Sequence, residues 1–168
     1  MDEITVRAAR VGDAEALAAS FVRTCAGYAR LDPELFQVPE VDVVRRRLAE
    51  LLARAGVAGE LWLVAEVGDR VAGDVRASLE HPVARADAQL RRDLGRVRVV
   101  VHALDVDEEW RRRGVASRLM GAVEAWAAAA GAEIVTLDTW AGSPLSVPFY
   151  ERLGYRRQAI VFRKALGP

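Results

Sequence analysis

Apolar residues recur with two periods along this chain, close to two and close to 3.6, and the switches between them predict its elements. Ile4 to Ala8 alternates as a short strand. Gly12-Asp13 then supplies a turn and an N-cap for a helix to about Gly27, with Leu17, Phe21 and Cys25 on its apolar face. Leu31 to Val41, with two Pro and three acidic residues, reads as a loop. Asp42 is placed to cap a second helix. Val44, Leu48, Leu51, Leu52 and Ala55 form its inner face, and Gly56 and Gly59 end it. Leu61 to Val67 and Val71 to Leu79 flank Gly68-Asp69-Arg70 as a β-hairpin. His81 to Leu94 is polar, with room for a short helix, and the Val-rich run Val97 to Val106 suits a buried central strand. Ser117 to Ala130 reads as a helix closed by Gly131, Glu133 to Trp140 as a strand, and Pro144 to Leu153 as a short helix stopped by Gly154. Tyr155 to Lys164 is expected to supply one or two closing strands. This order predicts an α/β fold, a mixed, mostly antiparallel twisted sheet with helices on both faces.

Composition narrows the reading. At 168 residues, 52% apolar and 29% charged, the chain is expected to form a single domain, large enough to be stable without disulfides or a structural metal. The lone Cys25 and a start reading Met-Asp-Glu point to an unexported, cytoplasmic protein. The longest uncharged apolar-rich stretch, Ala125 to Ala132, is far below the ~20 residues that span a bilayer, so no membrane partner is expected. Twenty-four basic residues balance 24 acidic ones. No overall field draws the chain to nucleic acid, and any anion site must be local.

One segment concentrates positive charge. From Leu104 through Arg118 the chain passes from strand to helix, with Arg111, Arg112, Arg113 and Arg118 around Gly114 and Ala116. Small residues at a helix start let an anion approach the unpaired amides, and guanidinium forks suit phosphate. Neither a G-x-x-x-x-G-K-[ST] nor a G-x-G-x-x-G pattern occurs, so a nucleotide triphosphatase or a Rossmann dehydrogenase is unsupported.

The run Arg111-x-x-Gly114-x-Ala116 after Leu104-x-Val106 resembles the acyl-CoA signature of the GNAT superfamily of N-acetyltransferases. A second run, Val147-Pro148-Phe149-Tyr150-Glu151-Arg152-Leu153-Gly154-Tyr155, resembles the aromatic, Gly-ended helix near the C-terminus of the same superfamily. Together they span Val97 to Lys164. The resemblance implies acetyl-CoA as cosubstrate, with no metal. It implies that amides of Arg113, Gly114, Val115 and Ala116 hold the pyrophosphate, assisted by Arg111 or Arg118, while pantetheine lies along Leu104 to Val106 like an added strand. Ser143 stands where many members carry an Asn, which makes it a further cofactor contact.

Acetyl transfer from a thioester to an amine needs a base for the ammonium, donors for the oxyanion and an acid for the thiolate. Tyr150 matches the tyrosine that the family commonly places beside the CoA sulfur. His102 is the leading base, since His102-Ala103-Leu104-Asp105-Val106 resembles the reacting strand of arylalkylamine N-acetyltransferases and an imidazole titrates near pH 6.5. Val100 offers no ionisable group two residues earlier. Asp105 is an alternative base that strict alternation puts on the opposite face. A backbone amide near Leu104, released by a bulge, is the expected oxyanion donor.

On the acceptor side, Asp32, Glu34, Glu40 and Asp42 lie near Leu31, Leu35 and Phe36, a composition that suits a small cationic amine with an apolar body. A solvated loop with an N-cap is the simpler account. Tyr28 and Trp140 read as wall or core aromatics, Trp62 and Trp126 as packing. The competing readings are an acetyltransferase acting on a protein Lys or N-terminal amine, and an inactive acyl-CoA-binding module. A homodimer is left open.

Overall fold

The computed structural model describes residues 3–54 and 57–164, and the chain divides into two units, residues 1–138 and 139–168. Ala55 and Gly56, expected at the end of the second helix, lie outside the described residues.

In the first unit, β1 (Ile4–Ala8), β2 (Glu60–Val67), β3 (Arg70–Glu80), β4 (Arg98–Val106) and β5 (Ile134–Leu137) form one sheet in that order. The first three pairings are antiparallel and β4 with β5 is parallel, the mixed, mostly antiparallel sheet that the pattern predicts. Val67 pairs with Arg70, so the hairpin turn is Gly68-Asp69 alone. The polar stretch after β3 holds two 3-10 turns, Ala86–Ala88 and Arg92–Gly95.

Helices α1 (Ala14–Leu31) and α2 (Val41–Ala53) cover one face. Leu17 and Leu52 pack on Val64 of β2, with Trp62 and Leu48 beside them. Leu63, Ala65, Val75, Ala77, Val99 and Val101 alternate onto the other face. There α3 (Val115–Ala129) turns Leu119, Met120 and Val123 inward, and all three are inaccessible to solvent. Each such side chain contributes about 1.5–3 kcal/mol relative to exposure, which makes this the firmest layer of the unit.

Two helix boundaries differ from expectation. α1 runs past Gly27 to Leu31, since a helical Gly costs only about 1 kcal/mol and Tyr28 packs its ring 5.0 Å from that of Phe36. α2 begins at Val41, with Glu40 as N-cap, so Asp42 sits in the first turn and pairs with Arg45 at 3.3 Å. Arg7 joins β1 to this layer, donating to both Asp13 oxygens at 2.8 Å and to Glu66. Those bonds hold the Asp13 and Glu66 carboxyls below the usual range.

In the second unit, α4 (Ser146–Arg152) is shorter than the expected Pro144 to Leu153 helix. The closing strands expected over 155–164 do not form: none of these residues is in a strand. Ile160, Val161 and Phe162 are 79%, 91% and 91% exposed, so this run buries no apolar face of the kind that fixes a strand's register.

Candidate active site

Gly114 opens α3 in the left-handed region, at φ +89°, where an L side chain would be strained, and a Cβ there would meet nothing within 4 Å. The space over it is open. Arg118 is the first residue whose amide closes onto the helix, donating to the Gly114 carbonyl at 3.0 Å, and no side chain caps the start. The amides of Gly114, Val115, Ala116 and Ser117 therefore lack intrahelical acceptors, and the positive end of the helix macrodipole reinforces them. Arg111, Arg113 and Arg118 are exposed around this start. Arg111 Nε donates to the Val106 carbonyl at 3.1 Å, tying the loop to the end of β4. The Arg113 and Arg70 guanidiniums lie 5.1 and 5.7 Å from the Trp110 ring, and Arg70 donates to Glu109 at 3.0 Å. Asp107 accepts from Ser20 and Arg23 on α1.

β4 carries the reacting stretch. It pairs with β5 only from Arg98 to Val101, whereas its pairing with β3 continues to Val106. The β5 side of His102 to Val106, which includes Leu104, is left without a ladder partner among the described residues. Expected as a strand from Glu133 to Trp140, β5 stops at Leu137, and the short overlap is the reason. Gly73 lets β3 approach closely here, since a Cβ would lie 2.5 Å from the Asp105 carbonyl oxygen.

The bulge lies at His102. Arg76 and Ala77, adjacent on β3, pair with Ala103 and Val101, so His102 has no residue opposite. This extra residue resets the alternation. His102 reaches Ser78 on the face that also carries Asp105, whereas unbroken alternation had put them on opposite faces. His102 Nε2 lies 2.8 Å from Ser78 Oγ, and Ser78 Oγ donates to Glu80 Oε1 at 3.1 Å. A hydroxyl has one proton and the carboxylate takes it. Neutral His102 therefore donates through Nε2–H to Ser78 and keeps Nδ1 as its free acceptor nitrogen.

His102 borders a pocket of about 280 Å³ whose walls include Leu51 of α2, Glu60 and Trp62 of β2, and Arg76 and Ser78 of β3. Two carboxyls share that face of the sheet, since Asp74 pairs across the strands with Asp105. Trp62 Nε1 donates to Asp74 Oδ2 at 2.9 Å. Burial, then the charge of Asp105, push the Asp74 carboxyl up to about 7, against that hydrogen bond and the charge of Arg76. Burial also raises Asp105, opposed by a hydrogen bond from Thr24 and by the charges of Arg111 and Arg76. Burial raises the Cys25 thiol in the same layer.

Two carboxylates of the acidic loop serve local structure, Asp32 accepting from the Leu35 amide at 3.1 Å and Asp42 pairing with Arg45, and no residue of 31–42 lines the pocket. Trp62, Arg76 and Ser78 were not among the expected site residues. The signal was present in β3, where Asp74, Arg76 and Ser78 alternate as polar residues inside an otherwise apolar strand.

Within the second unit, Tyr150 sits on α4 with its ring centre 5.1 Å from Phe149 and 5.9 Å from Tyr155, whose amide donates to the Tyr150 carbonyl. Ser143 is buried, and its Oγ accepts from the Ser146 amide at 3.2 Å and bonds the Ser146 hydroxyl at 2.9 Å, which anchors the start of α4. Among the described residues no cluster of three or more His, Cys, Asp or Glu could hold a metal ion, and no helix is long and apolar enough to cross a membrane.

The family model for the acetyltransferase (GNAT) family matches residues 22–155. The chain belongs to that family. Among solved structures, a mutant of the BH1408 protein from Bacillus halodurans superposes with a TM-score of 0.83 at 20% identity, covering 96% of this chain and 99% of that one. Glucosamine-6-phosphate N-acetyltransferase from Arabidopsis thaliana gives 0.66 at 16% identity, covering 99% and 100%. An aminoglycoside N-acetyltransferase, AAC(6')-Iy, in complex with CoA gives 0.66 at 19%, covering 99% and 97%. At these identities the likeness is one of fold. No curated protein matches the chain by sequence. The first unit holds a helix start with no side-chain cap and a β4 edge without a ladder partner past Val101 on its β5 side among the described residues, with His102 at the bulge.

Proposed function

We propose that this single-domain GNAT protein is a cytoplasmic, acetyl-CoA-dependent N-acetyltransferase that moves the acetyl group to a primary amine by direct attack. One observation carries the reading: the same unit holds an α3 start with no side-chain cap and a β4 edge, His102 to Val106, without a β5-side ladder partner among the described residues, with His102 beside a pocket. The residues present suit the cosubstrate. The amides of Gly114, Val115 and Ala116 would take the pyrophosphate with Arg111, Arg113 or Arg118 adding charge, and the free edge at Leu104 and Val106 would pair with pantetheine. Ser143 would add a hydrogen bond. Acetyl-CoA brings the activated acyl group.

The chain's own residues would do the rest. His102 Nδ1, left free by the bond of Nε2 to Ser78, accepts the ammonium proton directly or through water. This is the role that the resemblance to arylalkylamine N-acetyltransferases gives it. An amide near Leu104 receives the developing oxyanion, since a bulge frees backbone donors from the ladder. Tyr150 protonates the departing thiolate.

Thiol release from acetyl-CoA against a panel of amines, for wild type and Tyr150→Phe, tests this reading. The wild type should turn over. Tyr150→Phe keeps the ring and loses the proton, so turnover should fall by about 10²- to 10⁴-fold with little change in acetyl-CoA affinity. No thiol release with any amine or peptide would favour the binding-module alternative, and unchanged turnover in Tyr150→Phe would leave water as the acid.

A further inference from the structure

The pocket beside His102 is lined by one guanidinium, that of Arg76, which has no carboxylate ion pair among the described residues. Arg76 lies on the helix-covered face of β3, half-buried, with its charge 5.4 Å from the centre of the Trp62 ring. Every ion pair found among the described residues leaves it out, and none of its N–H groups donates to a side chain. Five donors in a planar fork, pre-oriented by stacking, match a carboxylate.

The nearby charges do not fill that role. Asp74 and Asp105 share the face and feel the Arg76 charge, but neither forms an ion pair with it. Glu60 lines the exposed mouth without pairing with Arg76. Glu80 is occupied by Ser78. The pocket lining thus carries a cation, an exposed anion, apolar surface from Trp62 and Leu51, and the free Nδ1 of His102.

We propose that the acceptor is an amino carboxylate, its carboxylate held by the Arg76 fork, its apolar side group against Trp62 and Leu51, and its amine directed to His102. This rests on the acetyltransferase reading and replaces the purely cationic amine that the acidic loop suggested. A cationic amine alone would meet Arg76 as a like charge, whereas the carboxylate turns that charge into the anchor.

Matched pairs that differ only by the carboxylate test this: leucine with isopentylamine, phenylalanine with phenethylamine, tryptophan with tryptamine. Binding is measured by calorimetry, with and without CoA, on wild type, Arg76→Gln and Arg76→Lys. In at least one pair the carboxylate member should bind about tenfold or more tightly, as expected for a charge-assisted bidentate contact. Arg76→Gln should bring the ratio close to one, and Arg76→Lys should retain part of it. Equal or tighter binding of the decarboxylated members overturns the proposal, as does a preference that survives Arg76→Gln or no binding by any member. The wild-type comparison stands even if a variant fails to fold. Failure of the acetyltransferase reading would look different: carboxylate-dependent binding would persist with no thiol released from acetyl-CoA.

Discussion

Asp74 shows how one buried side chain can govern both the shape of the pocket and the pH response of the protein. Its carboxyl accepts from Trp62 Nε1 and faces Asp105, and its pKa is raised from the ordinary 3.8 to about 7. A raised carboxyl pKa means that the folded chain holds a proton the unfolded chain releases. Stability is therefore full below the unfolded value, declines as pH rises from about 4 to about 7, and levels off above that. Each unit of displacement corresponds to about 1.4 kcal/mol, with the facing Asp105 sharing in the effect. Asp74→Asn keeps an acceptor for Trp62 and removes the titration. Thermal melts from pH 4 to 8 should show the variant gaining on wild type as pH rises, with a plateau above about 7. A difference that stays constant across that range would mean that Asp74 is ionised in the folded protein. The sequence hides this arrangement, because an Asp in a strand becomes a buried acid only once the strand beside it is known.

At the scale of elements, the strand-to-helix junction was legible and the bulge was not. Gly114, Ala116 and four arginines at the end of a Val-rich run mark a helix start, and α3 does begin there, with Gly114 at φ +89° and no side-chain cap. The bulge leaves no comparable trace. A register shift between Arg76 and Ala77 is a property of two strands together, and it moved His102 onto the face of Asp105 against strict alternation. For Arg76 and Ser78 the polar alternation of β3 was a trace, but it names a pocket, with Trp62 in it, only when β2 and β3 pair. The expected strands over 155–164 failed for the complementary reason, since a short apolar run fixes no strand without a partner. Gly114→Val tests the element that was legible. The branched side chain would enter the open space over the amides and hold a left-handed residue at a cost of about 1–2 kcal/mol. The protein should stay folded with a modestly lowered melting temperature and lose CoA binding by calorimetry. Normal CoA affinity in this variant would place the pyrophosphate elsewhere.

For the whole molecule, a chain with no net charge must draw any affinity for CoA from local geometry rather than from its field. A ligand that binds only the folded state stabilises it by about 2.7 kcal/mol at 100 times its dissociation constant. For a chain in this size range each kcal/mol moves the melting temperature by roughly 2–4 °C, so saturating CoA should raise it by roughly 5–11 °C. The gain should decrease as salt rises, because the arginines around α3 are exposed and screened. It should be absent in Gly114→Val, whose helix start is blocked. Heparin, a polyanion with no pantetheine, should give little shift, since the β4 edge contributes nothing to its binding. A shift with heparin as large as with CoA would reduce the helix start to a nonspecific basic patch, and no shift with CoA in a folded sample would remove the cosubstrate assignment.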